Sequence, residues 1–120
     1  MATHTTKPDE QDLILYKGDD YAETFPILDD DSVAMVLTGF TAKAQIRKSQ
    51  KRSSTLIAEF TASLENPSTG LVNLSLTDDV TASISEKEGY WDLLLTDAND
   101  FTETYIMGKV TFVDTVTKKT

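Results

Sequence analysis

Short stretches in which apolar and polar residues strictly alternate recur along this chain, separated by clusters of Asp, Gly, Pro, Ser and Asn. A period of two sorts side chains onto the two faces of a pleated strand, whereas an amphipathic helix needs apolar residues three to four apart. In 41–47, Ala42, Ala44 and Ile46 fall on one face and Lys43, Gln45 and Arg47 on the other. The small alanines imply close approach of a second layer. Leu56, Ala58 and Phe60 share one side of 55–61, and the polar connection 48–54 makes the two segments an antiparallel hairpin. Val72, Leu74 and Leu76 alternate with Asn73 and Ser75 in another strand. In 90–96, Trp91, Leu93 and Leu95 oppose Tyr90, Asp92 and Leu94, a density of large groups that predicts a central strand. Threonine fills 18 of the 120 positions, and its β-branched side chain suits a pleated surface better than a helix.

The remaining segments read the same way. Leu13 and Leu15 open a first strand that the cluster Lys17, Gly18, Asp19, Asp20 ends. A second runs from Tyr21 through Glu23 and Phe25 to Ile27, and Pro26, which cannot donate to a ladder, makes it an edge strand. A turn at 29–32 precedes the apolar stretch 33–37, a predicted short strand bounded by Thr38 and Gly39. After the turn 97–100 come a strand over 101–107, a bend or bulge at Gly108, and a last strand over 109–116. Thr77 followed by Asp78 and Asp79 predicts one or two helical turns, with Val80 and Ile84 on one face and an end at 86–89. About eight or nine short strands with one short helix give an all-β fold, an antiparallel immunoglobulin-like β-sandwich, with a partly open barrel as the second choice. No internal repeat is visible, which disfavours a propeller or solenoid. The predicted organisation is a flexible N-terminal arm at 1–11, a single sandwich domain at 12–117 and a free tail at 118–120.

Most enzyme classes are excluded by what the chain lacks. It has no cysteine, hence no disulfide framework, no thiolate nucleophile and no thiolate metal site, which fits assembly in a cytoplasm. Its one histidine, His4, lies in the polar arm, leaving little from which to build a catalytic triad or an imidazole-ligated zinc site. No apolar run approaches the roughly 18 residues of a membrane helix, and 1–10 has no secretory core, so a soluble, uncleaved chain with no membrane partner is expected. The runs Asp29, Asp30, Asp31 and Asp97, Asn99, Asp100 read as turn chemistry, because the spacing, central glycine and terminal glutamate of a calcium loop are missing. No metal, cofactor or small-molecule substrate is expected.

Eleven basic against twenty acidic side chains give a formal net charge of −9, which repels phosphate backbones and argues against nucleic acid. Against that background Arg47, Lys48, Lys51 and Arg52 fall within six positions at the hairpin tip. A solvated tip is one reading, a cationic tip that docks against an acidic surface, such as that of a neighbouring copy, is the second, and a phosphate site is the third. Tyr16 and Tyr21, flanking the 17–20 turn, are further candidate partner contacts. Trp91, Tyr90, Tyr105, Phe101 and Phe112 lie within strand segments and are expected in the core, as is Met35, while Phe40 borders a loop.

Several pieces then line up in order: Leu37, Thr38, Gly39, Phe40, Thr41; Ala44, Gln45, Ile46, Arg47; Gly70 through Thr77; Gly89, Tyr90, Trp91, Asp92, Leu93; and Gly108, Lys109, Val110, Thr111, Phe112, Val113. Their order and spacing over 13–117 resemble small virion domains of tailed phages, in particular the N-terminal domain of tail baseplate upper proteins and related tail-fibre or neck proteins. The resemblance implies a β-sandwich without catalytic activity that anchors or connects parts of a tail at the baseplate, neck or fibre attachment site. It implies as partners other virion structural proteins and copies of the same chain, and as location the virion, assembled in the host cytoplasm. In baseplate upper proteins, C-terminal domains beyond this one carry the receptor-binding apparatus. Only Lys118, Lys119 and Thr120 follow the last strand here, so no receptor role through covalent continuation is expected. The competing reading is an immunoglobulin-like adhesion or capsid-decoration module that binds a host surface carbohydrate through exposed aromatics.

Overall fold

The structure, a computed structural model, describes residues 8–119. In chain order its strands are β1 (Asp9–Glu10), β2 (Leu13–Tyr16), β3 (Tyr21–Pro26), β4 (Thr41–Arg47), β5 (Leu56–Glu59), β6 (Thr61–Ser63), β7 (Leu71–Leu76), β8 (Glu88–Thr96) and β9 (Thr102–Val113). A single 3-10 turn, Pro67–Thr69, precedes β7, and one short helix, α1 (Asp78–Ala82), follows it. The strands form two sheets. The larger runs β9, β8, β4, β5, with β1 and then β2 along the outer edge of β9; the smaller is β3, β7, β6. The immunoglobulin-like sandwich expected from the alternation is therefore the fold. Its one departure from antiparallel pairing is at the N-terminus, where β1 and β2 run parallel to β9.

The buried side chains are those the two-residue period assigns to the inner faces. Val72, Leu74 and Leu76 of β7 and Phe25 of β3 face Ala44 and Ile46 of β4 and Trp91, Leu93 and Leu95 of β8. At the centre Trp91 stacks obliquely on Phe25 at 5.4 Å between ring centroids and meets Phe60 edge-on at 5.9 Å. Phe60 is also where the predicted strand 55–61 divides. Its amide donates to the Ala44 carbonyl at 2.9 Å in the larger sheet, and the next residue, Thr61, pairs with Ser75 in the smaller one. A chain that changes sheets at a corner keeps its ladder bonds satisfied on both sides, which local alternation alone does not reveal.

β3 is an edge strand, as Pro26 requires. The strand predicted over 33–37 does not form. Apart from a single bridge between Leu28 and Ala34, this segment pairs irregularly, the Met35 amide bonding the Ile27 carbonyl and the Leu37 amide the Pro67 carbonyl. Met35 and Leu37 are nevertheless buried, so the apolar pattern marked burial without a ladder. The outgoing strands predicted on either side of Gly108 are one continuous strand, β9. Its irregularity lies at Tyr105, the extra residue where the register with β8 shifts between Leu93 and Leu94, so that Tyr105 and Ile106 are both buried.

Gly108 serves a different purpose: a Cβ there would collide with the Gln11 carbonyl. Between β1 and β2 the chain presses against β9 at this point. The Gln11 amide bonds Met107 O at 2.9 Å, the Lys109 amide bonds Asp12 Oδ1 at 2.9 Å, and the Trp91 indole donates to Gln11 O at 2.8 Å. Within the predicted arm 1–11, residues 1–7 lie outside the described residues, while Asp9, Glu10 and Gln11 are bound to β9 rather than free. In the predicted free tail, Lys119 reaches Asp78 at 3.0 Å, and Thr120 lies outside the described residues. The helix is capped as predicted, the Thr77 hydroxyl accepting from the Val80 amide. Its buried residue is Thr81 and not Val80: the Thr81 hydroxyl accepts from the Gly18 amide at 3.0 Å and donates to Asp19 O at 2.7 Å, pinning the helix to the 17–20 turn.

Candidate functional site

The two aspartate runs are the same turn built twice. In 29–33 and 97–101 the amide of the first residue donates to the carbonyl of the fifth, at 2.8 and 2.9 Å, and the fourth, Ser32 or Asp100, has φ of 62° or 65°. The Asp29 carboxylate accepts from the amides of Asp31 and Val33, and that of Asp97 from Asn99 and Phe101, all at 2.8–3.0 Å. These side chains therefore complete turns, as aspartates do when they mimic a backbone acceptor. Among the described residues no group of three His, Asp or Glu side chains is placed to hold a metal ion.

Both turns stand at one pole of the sandwich. The three connections there, 27–40, 64–71 and 96–103, carry Asp29, Asp30, Asp31, Glu65, Asp97, Asp100 and Glu103 and no lysine or arginine. They also expose Leu28, Val33, Val36, Leu71 and Phe101, between 36% and 62% accessible. Phe101 was expected in the core. It lies instead one residue before β9, where the Asp97 turn holds the backbone and leaves the ring outside.

The opposite chemistry lies on the outward face of the larger sheet, in an open depression of about 750 Å³. The face of β4 opposite the core supplies Lys43, Gln45 and Arg47; β8 supplies Tyr90, Asp92 and Leu94; and Met107 of β9 completes the floor. The connection 48–55 curls over this face and brings Lys51 and Arg52 to its rim. That connection has a defined shape, because the Ser54 hydroxyl donates to Lys51 O at 2.7 Å and the Lys48 amide bonds Thr55 O at 3.0 Å. Arg47 braces it from below, with one guanidinium nitrogen on Ser54 O at 2.7 Å and the other on Gln45 Oε1 at 3.0 Å. The acid lining the depression is Asp92, while Glu59 of β5 accepts from Gln45 Nε2 at 2.9 Å beside it. Burial pushes the Asp92 carboxyl above the usual aspartate range, and the fields of Arg52 and Arg47 only partly offset this.

Of the six candidate contact residues, the structure brings Arg47, Lys51 and Arg52 onto this one depression. Lys48 turns aside to Glu86 at 3.6 Å. Tyr16 is exposed at the end of β2, outside the depression. Tyr21 is not a free contact residue: its ring packs on Phe60, its hydroxyl donates to Glu23 Oε1 at 2.8 Å, and burial followed by that carboxylate raises its pKa. Among the aromatics expected in the core, Trp91, Tyr105 and Phe112 are buried, whereas Tyr90 is half-buried on the outward face. Lys43, Asp92, Leu94 and Met107 were not singled out from the sequence. The alternation had already put Lys43 with Arg47 and Asp92 with Tyr90; what it lacked was the pairing of Lys43 with Leu94 and of Gln45 with Asp92 across β4 and β8.

A family described as the LtfC-like β-sandwich domain, associated with phage tail fibres, matches residues 7–113. No curated protein matches the sequence significantly. Among solved structures, a chain in the crystal structure of ICOS in complex with ICOS-L and an anti ICOS-L VNAR domain superimposes with a TM-score of 0.52 at 12% identity. The match covers 90% of this chain and 56% of that one, and it is a likeness of fold.

Proposed function

The chain belongs to the LtfC-like β-sandwich domain family, and we propose that it is a non-enzymatic structural module of a tailed-phage virion. In this reading it connects tail components at the baseplate, neck or fibre attachment site, with other virion proteins and copies of itself as partners. It is assembled in the host cytoplasm. The observation that carries the reading is the family match over nearly the whole sandwich. The surface supports it: a loop braced by Arg47 presents Lys51 and Arg52 on an otherwise acidic protein, as a docking face would. A carbohydrate-binding reading draws less support, because Trp91, Tyr105 and Phe112 are buried and Tyr90 is half-buried.

The test is incorporation. Particles assembled with an epitope-tagged chain are purified and labelled with gold. The reading expects label on the tail at fixed copy number, and expects Lys51→Glu with Arg52→Glu to reduce incorporation while the melting curve stays unchanged. Label absent from particles, or on the head alone, sinks the tail assignment.

A further inference from the structure

We propose that the cationic depression on the larger sheet receives the acidic pole of a second copy of this chain, so that copies associate pole to face. The proposal rests on the reading above and names a partner for the same surface. Acids occur at both ends of the sandwich, but at the other end Asp114 and Asp78 are paired with Lys17 and Lys119. The pole formed by 27–40, 64–71 and 96–103 carries seven acids and no cation, while Lys43, Arg47, Lys51 and Arg52 gather around one depression. Each surface also has an apolar part that its charges surround. Val33, Val36 and Phe101 stand exposed among the acids, and Tyr90, Leu94 and Met107 line the floor between the cations. A partner for the depression must be acidic at its rim and apolar at its centre, and the pole has that composition.

The pole cannot fill its own molecule's depression. The Asp97 hairpin is held to its stem by the amides of Asn99 and Phe101, and the Asp29 turn by those of Asp31 and Val33. Both are ordered projections, so little conformational entropy is lost when they dock. Two molecules of charge −9 repel at long range, but at about 0.15 M salt the screening length is about 8 Å, so contact pairs survive while net repulsion fades. Because the two surfaces differ, the contact is heterologous: each copy keeps one free pole and one free face, and association continues into a ring or a string.

The test uses the full chain in sedimentation velocity across a wide concentration range at about 0.15 M salt. One variant reverses the face, Lys51→Glu with Arg52→Glu; the other reverses the pole, Asp31→Lys with Glu65→Lys. Wild type is expected to grow in mass with concentration, and each variant alone to associate at least about tenfold more weakly. An equimolar mixture of the two variants is expected to regain association, since each supplies the surface the other lacks. Circular dichroism melts confirm that both variants are folded. A wild type that stays monomeric, or variants that associate like wild type, overturns the proposal. If wild type is monomeric yet the face variant is lost from particles, the partner is another protein and the tail reading stands. If wild type associates as expected yet no chain is found in particles, the tail reading fails and the pole-to-face contact stands.

Discussion

Replacing Trp91 by alanine tests whether one aromatic cluster joins the two sheets. The indole is 3% exposed, lies 5.4 Å from the Phe25 ring across the sandwich and 5.9 Å from that of Phe60 at the sheet-switching corner. Its Nε1 also donates to the Gln11 carbonyl at 2.8 Å, so it ties the N-terminal segment to the core. In immunoglobulin domains of antibodies a disulfide links the strands that correspond in order to β3 and β8; this chain has no cysteine, and the Phe25–Trp91 contact occupies that role. Truncating a buried tryptophan costs about 3–5 kcal/mol, and leaving the Gln11 carbonyl without its donor places this case at about 4–5 kcal/mol. A domain of this length has roughly 6–15 kcal/mol to lose, so about a quarter or more of its stability disappears. At about 4 °C per kcal/mol the midpoint falls by about 15–20 °C. Thermal melts and urea titrations followed by the β-sheet circular dichroism signal measure both numbers. Trp91→Phe keeps most of the ring volume and loses the donor, and should cost about 1–3 kcal/mol. A Trp91→Ala midpoint within about 5 °C of wild type would refute the argument that this cluster carries the contact between sheets.

Gly108→Ala drives a methyl into the Gln11 carbonyl and should cost about 1–3 kcal/mol, with faster hydrogen exchange at Gln11 and in β2; unchanged protection there contradicts the close contact. Thr81→Val keeps the volume but leaves the Gly18 amide and the Asp19 carbonyl unpaired, a loss of about 1–3 kcal/mol by urea unfolding, whereas Thr81→Ser recovers most of it. Asp92 has a folded-state pKa raised mainly by burial, so its ionisation opposes folding at neutral pH and the penalty vanishes once pH falls below the ordinary aspartate value of about 3.9. Asp92→Asn should therefore melt higher than wild type at neutral pH and match it in acid. A lower midpoint at neutral pH would show that attraction to Arg47 and Arg52 outweighs desolvation.

Strand existence was readable wherever one face is buried and the other wet, because the two-residue period is imposed by the pleat itself. This holds for β4, β7 and β8, whose inner residues Ala44, Ile46, Val72, Leu74, Trp91 and Leu93 all fall in the core. The helix cap was readable too, since Thr77 and Asp78 act on amides within one turn. Segment 33–37 shows the limit. Met35 and Leu37 are buried like strand residues, yet their partners are the carbonyls of Ile27 and Pro67, which no local pattern contains. The site was half readable. Arg47, Lys51 and Arg52 are close in sequence, so their clustering needed no fold, but Lys43, Asp92, Leu94 and Met107 join them only through the ladders of β4, β8 and β9.

The sequence by itself determined the β class, the turns, the inner faces of β4, β7 and β8 and the clustering of Arg47, Lys51 and Arg52, because each depends on residues within a few positions of one another. Only the tertiary structure decided that Phe60 turns the chain from one sheet to the other, that Gly108 is a point of close contact with Gln11 rather than a bend, and that the acids of three separate connections meet at one pole. Those outcomes depend on contacts between residues as far apart as Gln11 and Trp91, and pairing over such distances is fixed by how whole sheets pack, not by any local period.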